Sequence, residues 1–215
     1  QALQNNTGSE NSALGKGSLN ANTSGQYNTA LGRSALNQNT TADQNTAVGY
    51  QAAYSNTTGT SNVALGSFAG YGITTGSNNI AIGKNAINST STGSNNTAVG
   101  NAALNATTGS DNTGVGKNVL DSNTSGNYNT AVGSDALGAN TTASSNTAVG
   151  YQAGHSNTTG ADNVALGYLS LQANTTASDN IAIGSNTLSS NTTGAQNTAL
   201  GSLAMITNTT GNYNT

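Results

Sequence analysis

Residues 45–61 read NTAVGYQAAYSNTTGTS, and residues 62–66, NVALG, begin the same pattern again. Position 1 of each copy is this first Asn, and position 17 is the last residue before the next Asn. Twelve full copies follow one another, and their first residues are Asn11, Asn28, Asn45, Asn62, Asn79, Asn96, Asn112, Asn129, Asn146, Asn163, Asn180 and Asn197. The copy from Asn96 has 16 residues, and the others have 17. Because no linker interrupts them, residues 1–215 are predicted to form a single repeat domain. The chain begins and ends within a copy, so it is predicted to be a piece of something longer.

The positions of a copy differ in character. Position 1 is Asn in all twelve copies, position 3 is Ala in eleven, position 4 is always Val, Leu or Ile, and position 5 is always Gly. In the two NTAVG-Tyr copies these structural residues are Asn45, Ala47, Val48, Gly49, Asn146, Ala148, Val149 and Gly150. Short alternating runs rich in Val, Ile and Thr favour strands, and the Asn-Gly hairpin signal does not occur. Short strands without hairpins at a fixed period predict an all-β fold, a parallel β-solenoid (β-roll) of 17-residue rungs.

The composition agrees with stacked rungs. Charged residues are 5% of the chain, against about 25% in an ordinary globular domain. Identical charges stacked one strand spacing apart repel, whereas Asn and Thr can hydrogen-bond to their own copies. Proline, which would remove ladder donors, is absent. All four basic residues, Lys16, Arg33, Lys84 and Lys117, fall at position 6, which is therefore predicted to be a solvent-exposed corner.

The side chains on both faces of each strand are predicted to be buried. Positions 2 and 4 share an aliphatic face, and positions 1, 3 and 5 share the other. A uniformly small Ala at position 3 indicates a thin, tightly packed coil interior, which leaves the aliphatic face to pack against another copy of the chain. The alternative is a monomeric solenoid with the aliphatic residues inside and Ala outside.

The segments Asn62–Gly66 and Asn180–Gly184, NVALG and NIAIG, resemble the S-V-A-I-G core of head repeats in trimeric autotransporter adhesins. The full unit also resembles repeat regions of bacteriophage tail-fibre proteins. The resemblance implies a homotrimer of left-handed parallel β-rolls on a bacterial cell surface or a virion tail, with the aliphatic residues on the trimer axis. The 17-residue copies are longer than the adhesin unit, which predicts an extra corner or a third short strand.

Several functions are disfavoured by the residues present. His155 is the single His and there is no Cys, so neither a catalytic triad nor a thiolate metal site is expected; Asp121 and Asp135 offer only an unspecific pair. We therefore expect no enzyme, cofactor or metal. Four basic residues cannot neutralise a phosphate backbone, so nucleic-acid binding is not expected. No run approaches 18 apolar residues, so no membrane span is expected.

Three further features carry alternatives. Position 12 holds Asn of Asn-x-Ser/Thr, a possible glycosylation acceptor, at Asn22, Asn39, Asn56, Asn123, Asn140, Asn157, Asn174, Asn191 and Asn208. Position 13 is Thr in eleven copies and position 14 is Thr in ten, which would give two hydroxyl rows of the kind that ice-binding solenoids use. The aromatic residues are distributed over several corner positions and indicate no receptor platform.

The sequence thus predicts an extracellular structural or adhesive fibre segment, a rigid shaft or head whose main partner is itself. The fibre would present an attachment surface to a cell-surface glycan or a protein receptor. The alternatives are a self-assembling extracellular filament and an ice-binding solenoid.

Overall fold

The computed structural model describes residues 1–89 and 91–215, which form two compact units, Gln1–Asp111 (unit 1) and Asn112–Thr215 (unit 2). Each unit is described by itself, and the expectation of one repeat domain over residues 1–215 stays a prediction. The described residues form strands, turns and one isolated bridge, with no helix among them. The all-β class is thereby confirmed.

Unit 1 contains six three-residue strands at positions 2–4 of successive copies. They are β1 Ser12–Leu14, β2 Thr29–Leu31, β3 Thr46–Val48, β4 Val63–Leu65, β5 Ile80–Ile82 and β6 Thr97–Val99. Each pairs in parallel with the next, and the register places Ala opposite Ala, as in Ala30 opposite Ala47. The stacked positions are those that the 17-residue period aligns.

Unit 2 repeats this arrangement. Its strands are β7 Thr113–Val115, β8 Thr130–Val132, β9 Thr147–Val149, β10 Val164–Leu166, β11 Ile181–Ile183 and β12 Thr198–Leu200. They too are parallel and in register, with Ala131 opposite Ala148 and Ala148 opposite Ala165. Parallel strands from successive copies, each joined by a full turn of chain, form a β-solenoid, which confirms the predicted architecture.

Most of each turn is not regular strand, yet its backbone is bonded from turn to turn. The N–H of Leu36 donates to Ala52 O at 3.0 Å, and the N–H of Thr57 donates to Thr74 O at 2.9 Å. The extra length of the 17-residue unit is therefore accommodated in corners rather than in a further regular strand of the described residues.

These corners use left-handed backbone at three places in every copy, namely positions 7, 9 and 17. Non-Gly residues there have φ between 46° and 62°, among them the buried Leu36, Leu120 and Leu188 at 48°, 49° and 49°. A left-handed conformation costs an L-residue about 1–2 kcal/mol. Where position 9 is Leu, the burial of its side chain and the hydrogen bond from its N–H to the adjacent turn offset that cost.

The core of each unit is a thin stack of small and amide side chains, with a larger aliphatic residue in most turns. Ala47 and Ala148 at position 3 are fully buried, as are Ala52 and Ala153 at position 8, and Leu occupies most copies of position 9. This confirms the prediction that Ala lies inside the coil, and the alternative with aliphatic strand residues inside is wrong. The four basic side chains at position 6 are exposed, as predicted.

Candidate functional site

The Asn residues at position 1 form a buried ladder in each unit. The main-chain N–H of Asn45 donates to Oδ1 of Asn28 at 3.0 Å, and that of Asn146 donates to Oδ1 of Asn129 at 3.0 Å. Each Oδ1 thus satisfies the amide of the next turn, where the chain enters the strand. An Ala or Ser at this position could not reach across the rung, which explains why Asn is used in all twelve copies.

The Asn residues at position 12 form a second buried ladder. Nδ2 of Asn140 donates to Oδ1 of Asn123 at 2.9 Å and to the position-15 carbonyl of Ala143 at 3.0 Å. The same carbonyl accepts Nδ2 of Asn129 from position 1 at 2.8 Å. The two ladders therefore meet at position 15 and fix the coil's cross-section by hydrogen bonds rather than by a large apolar core.

This second ladder is interrupted in unit 1. Ile73 holds position 12 in the copy after Asn56, and the Oδ1 of Asn56 is left buried without a hydrogen-bond partner among the described residues. In the 16-residue copy, the N–H of Thr107 donates to Leu104 O at 3.4 Å, which is the bond that a position-12 Asn makes. The count of Thr at position 13 in eleven copies included Thr107, and this is corrected: Thr107 takes the buried place of Asn at position 12.

Eight of the nine possible glycosylation Asn residues are fully buried or nearly so, and Asn208 is half-buried. Asn39, Asn157 and Asn191 show why, because each uses Nδ2 for two hydrogen bonds inside the coil. A glycan replaces one of the two Nδ2 hydrogens, so it would break at least one of these bonds and would have to leave through the packed wall of the coil. Glycosylation therefore plays no part in the function proposed below.

Glycine at position 5 is required by the backbone. All twelve have φ between 116° and 143°, a region that L side chains rarely adopt. A Cβ on Gly49 would lie 2.5 Å from Gly66 O, and one on Gly150 would lie 2.4 Å from Gly167 O. The strand leaves the sheet through this residue, and successive turns approach each other there too closely for any side chain.

The aliphatic face of the strands is left partly or fully exposed in both units. While Ala148 is fully buried, Val149 beside it is 41% exposed. Other exposed aliphatic residues of positions 2 and 4 are Leu14, Leu31, Ile80, Val115, Val132, Ile181, Ile183 and Leu200. Exposed aliphatic residues in a column, rather than singly, indicate an interaction surface. This column is called the aliphatic face.

The Thr rows differ from each other. At position 13 the hydroxyl of Thr40 donates to Thr57 O at 3.0 Å, and that of Thr141 donates to Thr158 O at 3.0 Å, so this row is engaged along the solenoid. Position 14 is exposed in every copy. The ice-binding alternative would use two outward rows of hydroxyl groups, and position 14 provides one of them. That alternative stays a prediction.

The three residues considered for chemistry lie in unit 2. Asp121, Asp135 and His155 line one open cleft of about 260 Å³ in unit 2, and one oxygen of Asp135 accepts from Ser134 Oγ at 2.7 Å. Within residues 1–89 and 91–215 there is no group of three or more His, Cys, Asp or Glu side chains placed to hold a metal ion. The same residues include no helix long and apolar enough to cross a membrane.

The aromatic side chains are less scattered than the sequence predicts, because four of them contact one another in unit 1 and two, Tyr151 and Tyr168, stack at 5.6 Å in unit 2. Tyr50 and Phe68 contact edge to face with ring centroids 5.2 Å apart, Phe68 and Tyr71 lie 5.8 Å apart, and Tyr54 stacks on Tyr71 at 5.3 Å. The 17-residue period places Tyr54 and Tyr71 at position 10 of adjacent copies, whereas Tyr50 and Phe68 hold positions 6 and 7 and meet them only in the folded corner. Counting neighbours across the 17-residue register could have found them.

No family model, curated protein or solved structure compared with the chain matches it. The function of this chain is therefore inferred from the Asn ladders, the aliphatic face and the contacts among its aromatic side chains.

Proposed function

We propose that this chain is a segment of a rigid extracellular fibre, on a bacterial cell surface or a virion tail, that associates with two further copies of itself and presents an attachment surface. The observation that carries the proposal is the aliphatic face. Position 4 is Val, Leu or Ile in every copy although its side chain points away from the coil interior.

Burial of this face is the physical reason for association. Removing apolar surface from water contributes about 25 cal/mol per Å². A column of one to two aliphatic side chains per rung, continuous along each unit, provides apolar area that grows with the number of rungs. A cyclic homotrimer would bury the three equivalent columns on one axis, which agrees with the adhesin resemblance of the NVALG and NIAIG segments.

The ladders support a mechanical role. Each rung is bonded to its neighbours by backbone and buried Asn side chains, and charge is nearly absent from the stack. Repeating interfaces of this kind produce length and stiffness from one short sequence unit.

The test is the absolute mass of the purified chain by multi-angle light scattering over a range of concentrations. Three chain masses, constant with concentration, are expected, since a closed cyclic interface saturates. One chain mass would contradict the proposal. A mass that grows with concentration would instead support the self-assembling filament.

A further inference from the structure

One corner of unit 1 carries a continuous aromatic surface, formed by Arg33, Tyr50, Tyr54, Phe68 and Tyr71 and called the aromatic patch. The rings connect in the order Tyr50, Phe68, Tyr71, Tyr54 through centroid distances of 5.2, 5.8 and 5.3 Å. The guanidinium carbon of Arg33 lies 5.8 Å from the centroid of the Tyr50 ring. Four of the nine aromatic side chains of the chain thus meet in one place.

The patch is held rigidly by the solenoid backbone. The N–H of Phe68 donates to Tyr50 O at 2.9 Å, the N–H of Ser55 donates to Tyr71 O at 3.1 Å, and the N–H of Gln38 donates to Tyr54 O at 3.0 Å. Tyr54, Phe68 and Tyr71 are half-buried, so their rings are fixed by packing while part of each stays open to solvent. A surface fixed before binding loses little conformational entropy when it binds.

The fold does not need these aromatic residues. Unit 2 repeats the sequence of unit 1 at an offset of 101 residues, as Tyr27 and Tyr128 show. At the positions equivalent to Tyr54, Phe68 and Tyr71, unit 2 carries His155, Leu169 and Gln172 in the same solenoid turn geometry. The aromatic side chains are therefore a local addition to a turn that forms without them.

Size favours a small ligand over a protein. An aromatic side chain has about 150–250 Å² of surface, and Tyr50, the most exposed of the four, is 41% exposed. The accessible aromatic area is then of the order of 300 Å², well below the roughly 800 Å² that each partner contributes to a standard protein interface. An area of this size fits one or two six-membered rings.

The chemistry of the patch favours a sugar. The C–H bonds on one face of a pyranose ring carry partial positive charge and stack against electron-rich aromatic surfaces, while its hydroxyls need amide and hydroxyl partners. Three of the four rings are phenols, and the turns before and after place Asn37 and Asn88 at the position of Tyr54 and Tyr71. No carboxylate belongs to the patch, and its one charge, Arg33, faces Tyr50.

We infer that the aromatic patch binds one or two pyranose rings of a neutral oligosaccharide. This inference rests on the proposed function, because it names the partner class of the fibre's attachment surface.

The test is saturation-transfer NMR of the whole chain with a panel of neutral disaccharides built from glucose, galactose, mannose and N-acetylglucosamine. The test variant carries Tyr54→His, Phe68→Leu and Tyr71→Gln, the residues that unit 2 uses at the same places. The control is Tyr27→Gln, which removes an exposed Tyr outside the patch; Gln already stands at that position in Gln44 and Gln196. The wild-type chain and the control should bind at least one disaccharide with transfer to ring C–H protons. The triple variant should bind it about tenfold more weakly. Phe68→Leu and Tyr71→Gln remove two aromatic rings, and the loss of two such contacts amounts to roughly 1.4 kcal/mol.

Absence of binding to the whole panel by the wild-type chain, or equal binding by the triple variant, would overturn the inference. Light scattering on the same samples separates this outcome from failure of the fibre proposal. A trimer that binds no sugar contradicts only the patch, whereas a sugar-binding monomer contradicts only the trimeric fibre. The far-ultraviolet circular dichroism of the triple variant should match that of the wild-type chain, because unit 2 shows that its three side chains suit the turn.

Discussion

Nδ2 of Asn39 donates to Oδ1 of Asn22 at 2.7 Å, and both side chains are fully buried. The two residues are 17 positions apart in sequence and equivalent in adjacent turns. A buried amide in a thin coil is tolerable only because its copy above and its copy below satisfy it. The fold therefore requires the repeat, because each buried Asn needs an equivalent Asn in the turns above and below it.

Replacing Asn140 by Ile should strongly destabilise unit 2. The substitution removes the hydrogen bond that Asn140 donates to Oδ1 of Asn123 and leaves Nδ2 of Asn157 without one acceptor, and an unsatisfied buried polar group costs about 1–3 kcal/mol. We expect a lower midpoint of urea unfolding, measured by circular dichroism.

Asn56→Ile is the matched comparison, since the next copy already carries Ile73 at this position. The Oδ1 of Asn56 has no partner, so the substitution removes one unsatisfied atom while it creates another at Asn39. Its cost should be clearly smaller than that of Asn140→Ile. Equal shifts of the urea midpoint in the two variants would show that the hydrogen bonds between position-12 Asn residues do not provide the expected stabilisation.

Gly49→Ala should be far more damaging than Gly59→Ala. Gly49 has φ of 135° and its added Cβ would meet Gly66 O at 2.5 Å, so both conformation and space oppose a side chain. A Cβ on Gly59 would lie even closer to a carbonyl, 2.2 Å from Gly76 O, so backbone conformation rather than space separates the two sites. Ala42, Ala143 and Ala177 fill position 15 in other copies and are buried there. We expect a loss of several kcal/mol for Gly49→Ala, consistent with about 1–3 kcal/mol for strain alone, and little for Gly59→Ala. Thermal unfolding of both variants checks this, and similar melting temperatures would refute it.

Val149→Asp and Ala148→Leu separate the two faces of one strand. Val149 lies on the aliphatic face, so an Asp there should abolish self-association while the isolated chain keeps its circular dichroism spectrum. Ala148 is fully buried, and Leu would overpack the interior at a cost of about 1–3 kcal/mol. If Val149→Asp leaves the mass found by light scattering unchanged, the aliphatic face is not the interface.

Ionic strength should have little effect on the assembly. The chain has four basic and seven acidic residues, and the basic side chains are exposed at position 6. Raising the salt from about 0.1 M to 1 M shortens the Debye length from about 10 Å to 3 Å, which would weaken an interface built on ion pairs. An assembly held by aliphatic burial should keep the same mass at both concentrations. Dissociation at high salt would point to ionic contacts instead.

The sequence by itself determined the period, the parallel in-register stacking and the inward Ala of the strand. These follow from local rules: strand side chains alternate, so a strict Ala at position 3 beside an aliphatic residue at position 4 assigns them to opposite faces. The invariant Gly at position 5 likewise marked the end of the strand, although its backbone angle was visible only in the structure.

Only the tertiary structure decided what happens in the corners. Leu at position 9 lies inside with left-handed φ, Asn at position 12 points inward to its ladder rather than outward to solvent, and Tyr50, Phe68 and Tyr71 converge from two turns. The alternation of side chains along a strand does not predict these positions, because they lie in corners. The direction of a side chain after a corner depends on the φ and ψ of every residue in that corner. Those angles are set by hydrogen bonds between turns, and therefore by contacts 16 or 17 residues away rather than by neighbours along the chain.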